Sequence, residues 1–178
     1  KEVTWTSSNS HVASVNDGLV YAIAPGIASI TVTTVDGGHT ATCVVSVLQP
    51  VTIVSLNETT LSLVIGGEKA LEATVLPNNA SNKAVVWSSS DESVVTVENG
   101  LVKAVSAGSA TVTVKTIDGN KTATCAVTVT QPVTGVTLNK TTLDLLTGEN
   151  ETLIASISPI DATNKEVTWS SDNESVVI

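Results

Sequence analysis

The fold is decided by the stretch Lys83-Ala-Val-Val-Trp87, which recurs as Lys165-Glu-Val-Thr-Trp169 and as Lys1-Glu-Val-Thr-Trp5, each 82 residues from the next. Other residues keep the same spacing without a gap: Cys43 and Cys125, Pro50 and Pro132, Gly18 and Gly100, Gly26 and Gly108, and Asp36 and Asp118. A fixed period of this length is typical of tandem arrays of small domains. The 178 residues therefore contain little more than two periods of one unit.

Proline marks the boundaries between the units. Gln-Pro-Val occurs at 49–51 and again at 131–133. Proline lacks a backbone donor and disfavours helical geometry in the residue before it, so it suits a short extended connection. We predict that residues 1–50 are the C-terminal part of one repeat, 51–132 a complete repeat and 133–178 the N-terminal part of a third. Because the connection is short, we expect a semi-rigid rod.

Alternating apolar and polar residues indicate β-strands throughout the middle unit. In residues 122–129, alternation places Cys125 on the same face as Ala123, Val127 and Val129. We therefore predict that Cys125 and its counterpart Cys43 are buried core residues. One cysteine per period is too few for a disulfide within a unit, which leaves an interdomain disulfide or a metal thiolate as the alternatives.

Glycine turns separate the strands. Asn99-Gly100, flanked by apolar alternation, predicts a two-residue hairpin of type I′, with Gly18 as its counterpart. Asp118-Gly119 and Asp36-Gly37 predict a second turn in each copy. About seven short strands joined in this way predict an all-β fold of tandem β-sandwiches.

Composition excludes several classes of function. The net charge is −9 and every basic residue is a lysine, which argues against a nucleic-acid partner. No apolar run approaches the roughly 18 residues that span a bilayer, so we expect no membrane span in this window. The first residues do not have the pattern of a signal peptide, and an export signal or anchor could lie outside the window.

The repeat resembles the bacterial Ig-like domain of group 2. Its first half is matched by Val133-Thr-Gly-Val-Thr-Leu-Asn-Lys-Thr-Thr-Leu143, Leu153-Ile-Ala-Ser-Ile-Ser-Pro159 and Val167-Thr-Trp-Ser-Ser171, and its second half by Val94-Val-Thr-Val-Glu-Asn-Gly-Leu-Val-Lys-Ala-Val105 and Ala107-Gly-Ser-Ala-Thr-Val-Thr-Val114. The resemblance implies that Trp5, Trp87 and Trp169 sit on a central strand against the opposing sheet. It also implies an exported protein of a cell surface, a virion or a secreted enzyme, with a role as stalk or adhesion module.

The repeat period also tests for chemistry, because a residue that acts in every unit should recur at the same offset. His11 and His39 face Ser93 and Lys121 in the next copy, so no histidine recurs. Without a recurring base or a nucleophile beside it, acyl-transfer constellations have no support, and we predict no enzymatic activity.

Two recurring side chains leave alternatives open. Glu92 and Glu174 could each give an oxygen ligand to calcium at a loop, the one cofactor we consider, but no Asp-x-Asp-x-Asp-Gly array accompanies them. Lys83 and its counterparts Lys1 and Lys165 could form an isopeptide crosslink, although a solvated lysine at a strand end is the simpler interpretation.

Two functional hypotheses follow. The first is a non-catalytic structural spacer or fibre segment, whose partners are neighbouring repeats or copies of itself. The end segments would be completed by neighbouring repeats of a continuous chain, which we favour, or by head-to-tail pairing into filaments. The second is an adhesion or carbohydrate-binding module that uses the loops at 77–82 and 159–164, although these loops lack an aromatic platform.

Overall fold

A computed structural model describes residues 1–176, and every regular element in that range is a β-strand. In chain order the strands are β1 (Val3–Ser7), β2 (Ala13–Asn16), β3 (Leu19–Ala22), β4 (Gly26–Thr34), β5 (Thr40–Val47), β6 (Ile53–Leu56), β7 (Thr60–Val64), β8 (Glu68–Ala70), β9 (Ala73–Leu76), β10 (Val85–Ser89), β11 (Val95–Glu98), β12 (Leu101–Ala104), β13 (Gly108–Thr116), β14 (Thr122–Thr130), β15 (Gly135–Leu138) and β16 (Ala155–Ser158). The all-β prediction is confirmed. Within the same range, no helix could cross a bilayer.

The described strands pair into sheets along the chain as follows. The first strands form the sheet β1-β4-β5 and the hairpin β2-β3, whereas the middle of the chain forms β10-β13-β14-β7, β11-β12-β8 and β6-β9. β15 pairs with β16 near the end of the chain. Contacts divide the chain into two compact units, one of residues 1–57, 72–87 and 113–124, and one of residues 58–71, 88–112 and 125 onward.

The middle of the chain has more strands than the sequence pattern indicates. Residues 51–132 contain nine strands, β6 to β14, and not about seven. Alternation in residues 70–75 predicts one strand, but the structure has two, because β8 pairs with β12 whereas β9 pairs with β6. The change occurs at Leu71, whose N–H donates to Gly100 O at 2.8 Å, and Glu72, whose N–H donates to Asn57 Oδ1 at 2.8 Å. Alternation continues through both strands, so it does not reveal a change of sheet.

The two-residue hairpins have the backbone of a type I′ turn. β11 and β12 are paired up to Glu98 and Leu101, and Asn99 and Gly100 between them have φ of 49° and 85°. Asp17 and Gly18 repeat this geometry between β2 and β3, with φ of 48° and 83°. Positive φ at both positions matches the twist of the strands, which is why asparagine or aspartate precedes glycine.

One apolar cluster lies in the first compact unit, where residues of the β6–β9 pair meet residues of β10, β13 and β14. Its buried members are Val51, Val54, Val75, Ala80 and Val114, and Trp87 packs against them half-buried. Val114 is 0% exposed. Since burial of a valine side chain contributes roughly 1.5–3 kcal/mol, this contact is a main source of stability.

An ion pair recurs with its charges exchanged. Lys69 Nζ lies 3.0 Å from Glu58 Oε1, and 82 residues later Lys140 Nζ lies 3.0 Å from Glu151 Oε2. The lysine is thus the second residue of the pair in the middle unit and the first residue in the next unit, and the ion pair forms in both. Lys140 also lowers the pKa of the Glu151 carboxyl by hydrogen bonding. The exchange indicates that positions 140 and 151 meet as 58 and 69 do, although residues 140–151 contain no strand.

A threonine fixes the second turn in both copies. The Thr116 hydroxyl donates to Asp118 O at 2.6 Å and accepts from the Lys121 N–H at 2.9 Å. Thr34 makes the same pair of bonds, to Asp36 O at 2.7 Å and from the His39 N–H at 3.0 Å. Thr116 is fully buried, whereas Thr34 is half-buried.

We expect Thr116→Val to lower the free energy of unfolding by about 2 kcal/mol, because the buried Thr116 side chain is the partner of two backbone groups of the turn, which then lose their bonds. Thr34→Val is the matched control and should cost less than about 1 kcal/mol, since water can reach the same groups there. Urea unfolding followed by circular dichroism measures both. Equal losses for the two variants would contradict this account of the turn.

Candidate functional site

The three predicted core tryptophans do not have the same surroundings. Trp87 packs half-buried against the cluster around Val114. Trp5 and Trp169 are 36% and 56% exposed, so the prediction that all three are core residues is wrong for these two. The reason is the chain around them: residues 1–50 contain no counterpart of Val54 or Val75, and the described residues after Trp169 contain no counterpart of Val114. The expectation of a central strand is wrong as well, because β1 and β10, the strands of Trp5 and Trp87, each end their sheet.

The two cysteines differ in the same way. Cys125 is 0% exposed. Its burial raises the pKa of its thiol, and the negative charge of Glu58 raises it by a smaller amount. Cys43 is exposed, which corrects its predicted place in the core. In the middle of the chain β7 lies beside β14, the strand of Cys125, whereas β5 ends its sheet without such a neighbour among the described residues. Both thiols are free.

The predicted turn residues lie at turns. Gly18 and Gly100 occupy the type I′ hairpins, and Gly37 and Gly119 have φ of 79° and 72° between the long strands. Gly18 has a second role, because a Cβ there would lie 3.2 Å from Cζ2 of Trp5. Asp36 and Asp118 precede Gly37 and Gly119 in these turns.

The first predicted boundary is held by a reciprocal pair of hydrogen bonds. The Gln49 N–H donates to Ser81 Oγ at 2.8 Å, and the Ser81 N–H donates back to Gln49 O at 2.9 Å. Ser81 lies in the loop after β9, where the Ala80 N–H also donates to Pro77 O at 2.9 Å. The residue before the boundary proline is thus bound at both of its backbone groups.

The second boundary repeats this arrangement 82 residues later. The Gln131 N–H donates to Thr163 Oγ1 at 2.7 Å, and the Thr163 N–H donates to Gln131 O at 2.8 Å. Serine is replaced by threonine and the hydroxyl acceptor is retained. We call each set, Gln49 with Ser81 and Gln131 with Thr163, a seam.

Asp118 adds a third bond at the first seam. Its Oδ2 accepts the Val51 N–H at 2.8 Å, and Val51 is only 3% exposed. The turn between β13 and β14 thereby holds the chain just after Pro50. Sequence reasoning assigned Asp118 to the turn and missed this bond. Among the described residues the Asp36 carboxylate makes no such bond, because the position corresponding to Val51 would precede residue 1.

The candidate ligand loops and acidic groups have structural uses. Ser81 and Thr163 lie in the loops 77–82 and 159–164, so both loops take part in the seams. The Asp91 carboxylate accepts the Ser93 hydroxyl at 2.6 Å and N–H at 2.9 Å, and these bonds lower its pKa. Within residues 1–176 no cluster of His, Cys, Asp and Glu could hold a metal ion.

The other singled-out side chains are dispersed. Lys1, Lys83 and Lys165 are exposed, as is His39. The amide oxygens of Asn57 and Asn139 accept the backbone N–H groups of Glu72 and Ile154, both at 2.8 Å. The structure therefore brings together the seam residues and leaves the histidines and lysines apart.

We expect Asp118→Ala to lower the free energy of unfolding by about 1–2 kcal/mol and to speed hydrogen exchange at the Val51 amide, because a buried N–H loses a charged acceptor. Asp36→Ala is the matched control and should change neither quantity measurably. Asp118→Asn, which keeps an acceptor oxygen, should recover part of the loss. Thermal unfolding and amide exchange provide the readouts, and equal effects of both alanine variants would contradict the seam role.

In dilute solution at neutral pH, iodoacetamide should alkylate Cys43 and leave Cys125 unmodified until denaturant is added. The thiolate is the reacting form, and burial both shields Cys125 and raises its pKa. Intact mass spectrometry would show one adduct in the native chain and two after unfolding. Rapid double modification of the native chain would contradict the burial of Cys125.

Comparison with known proteins agrees with this architecture. An uncharacterised protein of Clostridium acetobutylicum is 38% identical over 128 residues, which cover 71% of this chain and 13% of that protein. The Ig-like virion protein of Serratia phage KSP90 is 38% identical over 128 residues, 68% of this chain and 49% of that protein. The chain thus spans at most about half the length of these relatives.

Among solved structures, surface layer protein SbsC, domains 1–6, is 26% identical, with a TM-score of 0.43 over 77% of this chain and 21% of that one. The family model of the bacterial Ig-like domain (group 2) matches residues 1–45, 50–127 and 132–178. These three matched segments cover nearly the whole sequence, and this chain belongs to the bacterial Ig-like domain (group 2) family.

Proposed function

We propose that this chain is a non-catalytic structural spacer of an extracellular, cell-surface or virion protein, in which successive Ig-like repeats are held at fixed seams as a semi-rigid rod. The observation that carries the proposal is the recurrence of the same reciprocal hydrogen bonds at Gln49–Ser81 and at Gln131–Thr163. A connection that bends freely would not need both backbone groups of the residue before the proline to be bound.

The placement of polar groups supports this role. The recurring hydroxyls of Thr34 and Thr116 bind backbone groups of the turns, and the Asp118 carboxylate binds the backbone at the first seam. The loops that were candidates for ligand binding supply Ser81 and Thr163 to the seams. The hydroxyl groups that recur at the 82-residue offset therefore hydrogen-bond to the backbone, as expected of a repeated structural element.

The proposed location rests on the family and on a relative. The Serratia phage KSP90 relative is a virion protein, and it matches 68% of this chain. An acidic surface, with a net charge of −9, favours solubility and keeps neighbouring rods apart. The partners that we propose are neighbouring repeats.

In one experiment each seam serves as the control for the other. Ser81→Ala should raise the hydrogen-exchange rate of the Gln49 amide about fivefold, the effect of losing a bond of about 1 kcal/mol, and leave Gln131 unchanged. Thr163→Ala should do the reverse. Exchange measured by NMR on the whole chain reads both amides at once.

Fast exchange at Gln49 and Gln131 in the unsubstituted chain would contradict fixed seams. Saturable binding of a glycan or matrix protein to the chain would replace the spacer role with that of an adhesion module.

A further inference from the structure

β7 and β14 of the middle repeat, residues 51–132, lie side by side and run in the same direction. Five pairs of residues face each other, from Thr60 opposite Ala126 to Val64 opposite Thr130. β7 is the second and β14 the last of the nine strands in this repeat. The parallel pair therefore joins the beginning of the repeat directly to its end.

The direction of the two strands decides how a pull on the repeat would load them. Tension along a chain of repeats enters β7 from its N-terminal side and leaves β14 from its C-terminal side. Because the strands are parallel, these two pulls act along the strands in opposite senses, so β7 and β14 would have to slide past each other. The evenly spaced hydrogen bonds of a parallel ladder then bear the load together and not one after another.

Hydrogen bonds fix both ends of this ladder. At one end the Ala126 N–H donates to Thr59 O at 2.9 Å, and at the other end the Ile65 N–H donates to Thr130 O at 3.1 Å. The Thr130 hydroxyl adds a bond to Leu63 O at 3.4 Å. The backbone bonds between the two strands therefore extend one residue beyond β7 on each side.

The inner side of the pair is closed to water. Leu61 of β7 is 9% exposed, and Val127 and Val129 of β14 are each 1% exposed. Side chains alternate between the two faces of a strand, so a slip of one residue would set buried side chains opposite exposed ones. Burial on this side therefore adds to the resistance of the hydrogen bonds against sliding.

The strand before the pair does not take its place. β6 precedes β7 in the chain and forms a two-stranded sheet with β9, in which four pairs of residues face each other. Release of β6 from β9 would lengthen the chain ahead of β7 and pass the load to β7. The repeat therefore opens only when β7 separates from β14.

We propose that the β7–β14 pair is a mechanical clamp, which lets the repeat carry tension along the rod. This inference rests on the proposed spacer function, because tension reaches a repeat through its neighbours in the rod. It adds a load-bearing role to that function and assigns the load to one pair of strands. Resistance to a pull then depends on the clamp and not on the stability of the repeat as a whole.

Ile65→Pro weakens the clamp and keeps the turn that follows β7. Val64 O accepts the Gly67 N–H at 2.9 Å and Gly66 has φ of 78°, so Ile65 is the second residue of a type II turn, where proline is favoured. The substitution removes the N–H that donates to Thr130 O. Ile65→Ala is the matched control, because it shortens the side chain and retains the N–H. Circular dichroism checks that both variants are folded.

Single-molecule force spectroscopy on the whole chain, held by tags at its two ends, measures the unfolding rate at a constant force. Ile65→Pro should raise this rate for the middle repeat about fivefold, the effect of one lost hydrogen bond, and Ile65→Ala should raise it less. The event is recognised by its length, because opening of the clamp releases residues 60–130, roughly 240 Å of extended chain.

Val102→Ala tests whether overall stability would explain the same result. Val102 of β12 is fully buried in the sheet β11-β12-β8, outside the clamp. Removal of its methyl groups leaves a cavity, so the urea midpoint should fall further than in Ile65→Pro, where proline also restricts the unfolded chain. The unfolding rate under force should stay that of the unsubstituted chain, because β12 is still folded when the clamp separates.

An unchanged rate in Ile65→Pro, or an equal rise in Ile65→Ala, would overturn the clamp. Acceleration by Val102→Ala in proportion to its loss of stability would overturn it independently, whatever the proline variant does. Gradual extension of the unsubstituted repeat at low force would do so as well. Each of these outcomes leaves hydrogen exchange at Gln49 and Gln131 unchanged, so failure of the clamp is distinguishable from failure of the fixed seams.

Discussion

The structure depends on the coverage of one apolar face by another. A strand in these repeats buries only alternate side chains, so the face formed by Val54 and Val75 is stable only where Val114 packs over it. Where both faces are present, side chains such as Val114 and Cys125 are fully buried. Where only one is present, the equivalent side chains are more exposed, as Cys43 is relative to Cys125 and Trp169 relative to Trp87. The presence of the covering strands therefore sets exposure, since these pairs share both residue type and position in the repeat.

Connection between repeats is the second level of organisation. Each seam consists of two hydrogen bonds, one from a backbone N–H to a hydroxyl and one between backbone groups, and serine and threonine exchange without loss of the acceptor. Asp118 strengthens the first seam because the turn between β13 and β14 reaches Val51. A turn residue thus contributes to the linkage of repeats, which joins the local backbone requirement to the proposed spacer function.

Much of the fold could be predicted from the 82-residue period. The period identified the repeat, alternation identified the strands, and the Asn99-Gly100 dipeptide identified a hairpin because both residues need positive φ. The change of sheet at Leu71 and Glu72 could not be predicted, since it depends on two acceptors distant in sequence, Gly100 O and Asn57 Oδ1. The bond from Val51 to Asp118 spans 67 residues, so no local pattern reveals it.

One signal in the sequence was available and missed. The pair Glu58 and Lys69 becomes Lys140 and Glu151, and this exchange of charges implies contact without any structure. Comparison of the copies for exchanged pairs, in addition to identical residues, would have found it. The exposed tryptophans and Cys43 were mispredicted for a different reason: the period identifies equivalent positions but not whether their covering strands are present in the chain.

The proposed spacer function requires that the seams hold neighbouring repeats at fixed orientations. Residual dipolar couplings of the backbone amides in residues 1–47 and 53–130, measured on the whole chain in one alignment medium, test it most directly. Fixed seams predict alignment tensors of the same magnitude and rhombicity for both sets of amides. A clearly smaller tensor for one set would show independent reorientation and contradict the account.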